Sequence, residues 1–102
     1  MILVSKPGES LPKVEKRAEE TITYSLDIEK ILVPNEVAVS IKGVTSKLNI
    51  GKYRTRRGTS IELTVLPHDI GAPQYMDYTV SVLFETNMGN TRSAVFNIRV
   101  YK

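Results

Sequence analysis

Residues 77–100 read DYTVSVLFETNMGNTRSAVFNIRV. Tyr78, Val80, Val82 and Phe84 alternate with Thr79, Ser81, Leu83 and Glu85. Ala94, Phe96, Ile98 and Val100 then alternate with Ser93, Val95, Asn97 and Arg99. A period of two marks a strand with one face in a core. Asn87 to Asn90 break the two runs, and Gly89 takes a positive φ there without steric cost. The stretch therefore predicts a β-hairpin. Leu83 and Val95 interrupt its polar face, and they are expected to lie under the N-terminal segment or against a partner.

The same alternation recurs upstream. TITYSLDI places Ile22, Tyr24, Leu26 and Ile28 on one face, and Pro34 and Asn35 mark the turn that follows. EVAVSIKG is expected to turn Val37, Val39 and Ile41 inward, up to Gly43. SKLNI offers Leu48 and Ile50. TSIELTVL puts Ile61, Leu63 and Val65 on one face and stops at Pro67, which cannot donate to a central ladder. Residues 6–20, KPGESLPKVEKRAEE, show no such period. They read as an extended arm in which VEKRAEE forms at most one helical turn, with Met1 to Val4 as a short strand or an anchor.

The expectation is an all-β protein: an extended N-terminal arm over residues 1–19, then an immunoglobulin-like β-sandwich over residues 20–102. About seven antiparallel strands follow from turn signals spaced about ten residues apart. The 102 residues suit one domain, and 41% hydrophobic with 25% charged residues suits a folded one. With no cysteine there is no disulfide framework, thiolate nucleophile or cysteine zinc site. The apolar run at Met1 to Val4 is too short for the core of a signal peptide, so a soluble protein made in the cytoplasm is expected. A net charge of +3 is compatible with nucleic acid without demanding it.

The C-terminal block carries a resemblance. Tyr78 near the start of DYTVSV sits where immunoglobulin-like folds place a tyrosine corner. Together with Val80, Thr86, Gly89 and the closing FNIRV, the block resembles the small Ig-like domains of bacteriophage virion proteins. ETITYSLDI with the following ILV is similar to the first strand of phage fibre-tail adaptors, with Asp27 matching their Asp. Ile28 stands where those have an aromatic residue, and the chain has no tryptophan. The resemblance covers residues 20–101. It implies a non-enzymatic virion protein, made in the host cytoplasm, that connects fibres or other parts in a tail or neck assembly. A capsid-decorating protein and a stand-alone Ig-like binding module are the alternatives. It also implies partners among other virion proteins and many copies on a symmetric particle; no membrane partner is expected, because no run approaches membrane-spanning length. Deletion of residues 1–19 would then weaken assembly and spare the fold.

The candidate partner contact is GKYRTRRG, where Lys52, Arg54, Arg56 and Arg57 gather around Tyr53. Arginine suits carboxylate and phosphate alike through its planar fork. An acidic protein surface, a nucleic acid, and a solvated edge that resists aggregation are the three readings. Nucleic acid is the least favoured, because the stretch lacks repeated aromatic interleaving. Glu9, Glu15, Glu19, Glu20, Asp27, Glu29 and Glu36 concentrate in the first third. Either they pair head to tail with the basic stretch of another copy, or the arm folds over its own basic face. His68 beside Asp69 lacks further ligands, and Asp69 with Asp77 matches no calcium loop. No catalytic, cofactor-binding or metal site is assigned. For a binding module, Tyr53, Tyr75 and Tyr101 are the candidate aromatics, and they fall in separate segments.

Overall fold

A computed structural model describes residues 1–102. Eight strands run along the chain: β1 (Ile2–Leu3), β2 (Lys13–Arg17), β3 (Ile22–Asp27), β4 (Ala38–Thr45), β5 (Ile50–Arg56), β6 (Ser60–Val65), β7 (Tyr75–Thr86) and β8 (Thr91–Tyr101). A single 3-10 turn, Glu29–Ile31, is the only other regular element. The strands form two four-stranded sheets, ordered β1-β3-β6-β5 and β2-β8-β7-β4. They pack face to face as an immunoglobulin-like β-sandwich.

The alternating residues make the core between them. Leu26, Ile61, Leu63 and Val65 project from the first sheet, and Val80, Val82, Phe84, Ala94, Phe96, Ile98 and Val100 from the second; all are fully buried. Tyr24 crosses between sheets to meet Phe96 edge-on, with ring centroids 5.9 Å apart. Its hydroxyl donates to the Glu15 carbonyl at 3.4 Å. Burial and the nearby Glu20 carboxylate push this hydroxyl up to about 12.

Two features depart from the expected pattern. The sheets are mixed rather than purely antiparallel, because β1 runs parallel to β3 and β2 runs parallel to β8. Residues 1–19, expected as an arm, are built into both sheets as β1 and β2, with a turn at Lys6–Glu9 between them. The chain begins on the edge of the first sheet and crosses over to edge the second. Ile2 and Val4 fill the core beside β3. Val4 N–H bonds the Asp27 carbonyl at 2.9 Å, and Asn97 N–H bonds the Pro12 carbonyl at 2.9 Å. The helical turn expected in VEKRAEE is strand β2 instead, in register with Asn97 to Tyr101. Its inward face carries Val14, packed against the core, and Lys16, whose stem is buried while its ammonium donates to the Arg17 carbonyl at 2.7 Å.

Of the inward set expected in β4, Val37, Val39 and Ile41, Ile41 packs against the core and Val39 does not. Bulges between Ala38 and Ser40 and between Ile41 and Gly43 shift the register. Ala38 is buried and Val39 is 54% exposed. Leu83 stays 40% exposed on the outer face, whereas Val95 is half-buried and shares a groove with Leu11 of the N-terminal segment. Tyr78 is half-buried and sets its ring edge-on against His68 at 5.1 Å.

The end of the sandwich near the β5–β6 turn is closed by close backbone approach. Arg57 (φ 55°) and Gly58 (φ 72°) both lie in the left-handed region. The Gly58 carbonyl accepts from Ala38 N–H at 2.7 Å. A Cβ added at Gly58 would stand 2.7 Å from the Val37 Cβ. Gly58→Ala is therefore expected to cost at least about 1 kcal/mol, from strain and clash together. Urea denaturation checks it, and an unchanged midpoint would refute the constraint.

Candidate interaction surface

Strand β5 carries the basic stretch and forms one edge of the first sheet. Antiparallel pairing puts Arg54 opposite Glu62 and Arg56 opposite Ser60 on neighbouring β6. Lys52, two positions before Arg54, lines the same depression on the outer face, and the bulge between Ile50 and Tyr53 leaves it without a register partner on β6. Alternation then places Lys52, Arg54 and Arg56 in one row, each roughly 7 Å from the next along the strand. The turn adds Arg57, held in place through the Ala38 bond to Gly58 and a 3.0 Å bond from Ile28 N–H to the Thr59 carbonyl.

The row has an internal counter-ion that the local sequence hides. Glu62 accepts from Arg54 Nε at 2.8 Å and from Arg56 Nη1 at 3.4 Å. The hydrogen bond and charge of Arg54 lead in holding the Glu62 carboxyl below its ordinary range, with Arg56 adding to them against partial burial. The Glu62 side chain is 20% exposed, while those of Arg54 and Arg56 are 70% and 54% exposed. Glu62 thus orients both guanidinium groups and leaves their remaining donors to solvent. Beside them lies a shallow depression of about 590 Å³. It is lined by Thr23, Gly51, Lys52, Tyr53, Arg54, Glu62 and Thr64, and the Thr23 and Thr64 hydroxyls bond each other at 2.9 Å on its floor.

All four predicted contact residues therefore fall on one edge and its turn. The acidic residues of the first third do not gather opposite them. The strands β1 and β2 edge the sheets on the side away from β5 and β4, so the arm does not cover the basic face. Glu9, Glu15, Glu19 and Glu20 are matched in that segment by Lys6, Lys13, Lys16 and Arg17. Glu9 and Glu20 are occupied locally, accepting from the backbone N–H groups of Lys6 and Arg17 at 2.8 and 2.6 Å.

Glu36 has a different role from the rest. Its carboxylate is buried and accepts from Thr86 Oγ1 at 2.7 Å, Asn90 Nδ2 at 2.8 Å, Arg92 Nε at 2.8 Å and Val33 N–H at 3.0 Å. Burial works to raise its pKa, but these donors outweigh it and hold the carboxyl down at about 2. The group ties the segment before β4 to the β7–β8 hairpin. Asn87 reinforces the tie, its Oδ1 accepting from Val37 N–H at 2.9 Å and its N–H donating to the Val37 carbonyl at 3.0 Å. Sequence reading missed this group because its members lie more than fifty positions apart in places, with no local signal linking them.

Asp69 Oδ1 accepts from Gly71 N–H at 2.8 Å within its own loop. Asp77 is gripped by Arg99 through two bonds of 2.8 and 3.0 Å, and Lys13 lies 3.6 Å away. No group of three His, Cys, Asp or Glu side chains is placed to hold a metal. Tyr75 and Tyr101, distant in sequence, are register partners with ring centroids 6.0 Å apart. The Arg99 guanidinium sits 4.2 Å over the Tyr75 ring. Tyr53 stands apart from them, on the edge of the other sheet.

No protein-family model matches the chain, and no curated protein matches it in sequence. Among solved structures, mouse clustered PcdhgC3 EC1-3 is similar at 16% identity and a TM-score of 0.47, over 92% of this chain and 31% of that one. The chain thus spans about a third of that structure's chain. The fold assignment rests on the strand order and register given above.

Proposed function

We propose that this domain is a non-enzymatic structural connector that docks another protein along its β5 edge. The observation that supports it most is the row Lys52, Arg54, Arg56 on an edge strand paired on one side only, with the two arginines oriented by Glu62. An unpaired edge accepts a further strand through its backbone. Cations fixed beforehand lose less freedom on binding than free ones.

The setting we propose is the one the sequence resemblance implies: a bacteriophage tail or neck assembly, with many copies attaching fibres or other tail parts. Repetition on a symmetric particle multiplies weak single contacts. Decoration of the capsid is the alternative place for the same domain. Gold-labelled antibody imaging of particles from the source of this gene tests the setting. Label at the tail or neck is expected. Label over the capsid would move the domain to a decorating role, and unlabelled particles would end the virion reading.

A stand-alone binding module is the second reading, favoured by the Tyr75–Tyr101 pair. Glu15, Gln74 and Lys102 line a groove beside that pair. That reading requires a ligand whose binding perturbs Tyr75 and Tyr101 rather than β5.

A further inference from the structure

We infer that the partner of the β5 edge is an extended polypeptide segment with carboxylates at alternate positions, which adds to the first sheet as a fifth strand. The inference rests on reading β5 as the docking edge, and it names the chemistry of what docks there.

The four sheet edges differ. Strand β1 offers two residues. In β2, Lys13, Glu15 and Arg17 alternate in sign, and the Tyr101 hydroxyl reaches Glu15 at 3.3 Å. Strand β4 is bulged twice, and Lys42, its one charged residue, offers no row of cations. Those bulges re-aim the backbone away from a straight partner. Only β5 combines a regular stretch, Tyr53–Arg56, with a single sign of charge on one face.

The spacing selects the ligand. Side chains of an added strand on a given face recur every second residue, the same repeat as the cations. Carboxylates at alternate positions would meet Lys52, Arg54 and Arg56 in turn. On the far side of the row, Glu62 already occupies one edge of each guanidinium. An added strand would place a second lane of carboxylates along the other side. A nucleic acid supplies phosphates but no backbone N–H and C=O ladder for the unpaired edge, so it leaves that edge unmatched.

Two synthetic peptides of one composition test this. One has glutamate alternating with threonine and valine, and the other has its glutamates in a single block. Each is titrated into the isotopically labelled full chain, with single-stranded oligothymidylate as a third probe. The alternating peptide is expected to bind at least about tenfold more tightly than the blocked one. Its largest amide shifts should fall on residues 52–56, and hydrogen exchange there should slow. Lys52→Glu should weaken binding about tenfold without changing the thermal midpoint. Equal affinity for the two peptides would reduce the site to unspecific charge and overturn the inference. Tighter binding of the oligonucleotide, or shifts centred on Tyr75 and Tyr101, would overturn it too. Labelled tails combined with indifferent peptides would sink this inference and leave the virion setting standing. Selective peptide binding with unlabelled particles would do the reverse.

Discussion

A chain lacking residues 1–19 is expected to lose its fold, not only its contacts. This reverses the expectation from sequence that the sandwich would survive and assembly alone would weaken. The deletion removes β1 and β2 together, one edge from each sheet. It strips Ile2 and Val4 from the core, each contributing about 1.5–3 kcal/mol by burial. It also frees the acceptors and donors that β1, the crossing segment and β2 now satisfy, including Asp27, Asn97 and Tyr101. Against a total stability of about 5–15 kcal/mol for such a domain, these losses are large. They would also bare two inner strands, β3 and β8, as aggregation-prone edges. The truncated chain should be insoluble or lack a cooperative thermal transition, as read by circular dichroism and size-exclusion chromatography. A monomeric truncated chain with a native β spectrum and a sharp transition would show that the first nineteen residues are an appendage after all.

The reason for that reversal shows how much of this molecule is legible in its sequence. Strands in the middle of a sheet announce themselves: in β6, β7 and β8 every alternate apolar residue from Ile61 to Val65, Val80 to Phe84 and Ala94 to Val100 is buried. Short edge strands do not. Strand β2 has one inward position that is buried, and that position is Lys16, an amphipathic stem that hides its carbons and keeps its ammonium bonded to a carbonyl. Alternation cannot register such a residue as core. In β4 the two bulges reset the phase in mid-strand, so a constant period of two predicts Val39 on the wrong side. The candidate surface was half legible. Its four basic residues fall within residues 52–57, and β5 with its turn keeps them together. Their counter-ion is not, because Glu62 joins them only through the β5–β6 register. Buried polar clusters are the least legible. The Glu36 group draws its donors from Val33 nearby and from Thr86, Asn90 and Arg92 far along the chain.

That cluster carries the second large expected effect, a loss of stability in acid that Glu36→Gln should blunt. The folded pKa of Glu36 is held at about 2, below the ordinary 4.5. A lowered folded pKa means the unfolded chain takes up the proton first as pH falls. The contribution of Glu36 is therefore fully present above pH 4.5 and is lost progressively as pH drops from there toward 2. Asp77 and Glu62, also lowered by their arginine partners, titrate in the same sense, Asp77 from a half-exposed position and Glu62 from a 20% exposed one. Comparing wild type with Glu36→Gln at each pH cancels their share. At neutral pH the variant should be clearly less stable. Its new amide N–H₂ would face donors from Thr86 and Asn90 if it took the place of Oε2, and Arg92 would lose its counter-charge. The gap should close as pH falls toward 2. Thr86→Val separates geometry from charge. It removes the 2.7 Å donor to Glu36 and the hydroxyl that accepts from Met88 N–H and Asn90 N–H in the hairpin turn. It should cost about 1–3 kcal/mol at neutral pH, and the part that acts through Glu36 should fade in acid, because Thr86 is one of the donors that lower the Glu36 pKa, whereas the part from the turn amides should remain. Guanidinium-induced unfolding of the three proteins from pH 7 to pH 2 reads both effects. A wild-type advantage over Glu36→Gln that stayed constant across that range would mean Glu36 holds the hairpin by packing alone. An advantage that vanishes in acid ties this end of the sandwich, where Arg57 and the β5 row end, to the ionised carboxylate.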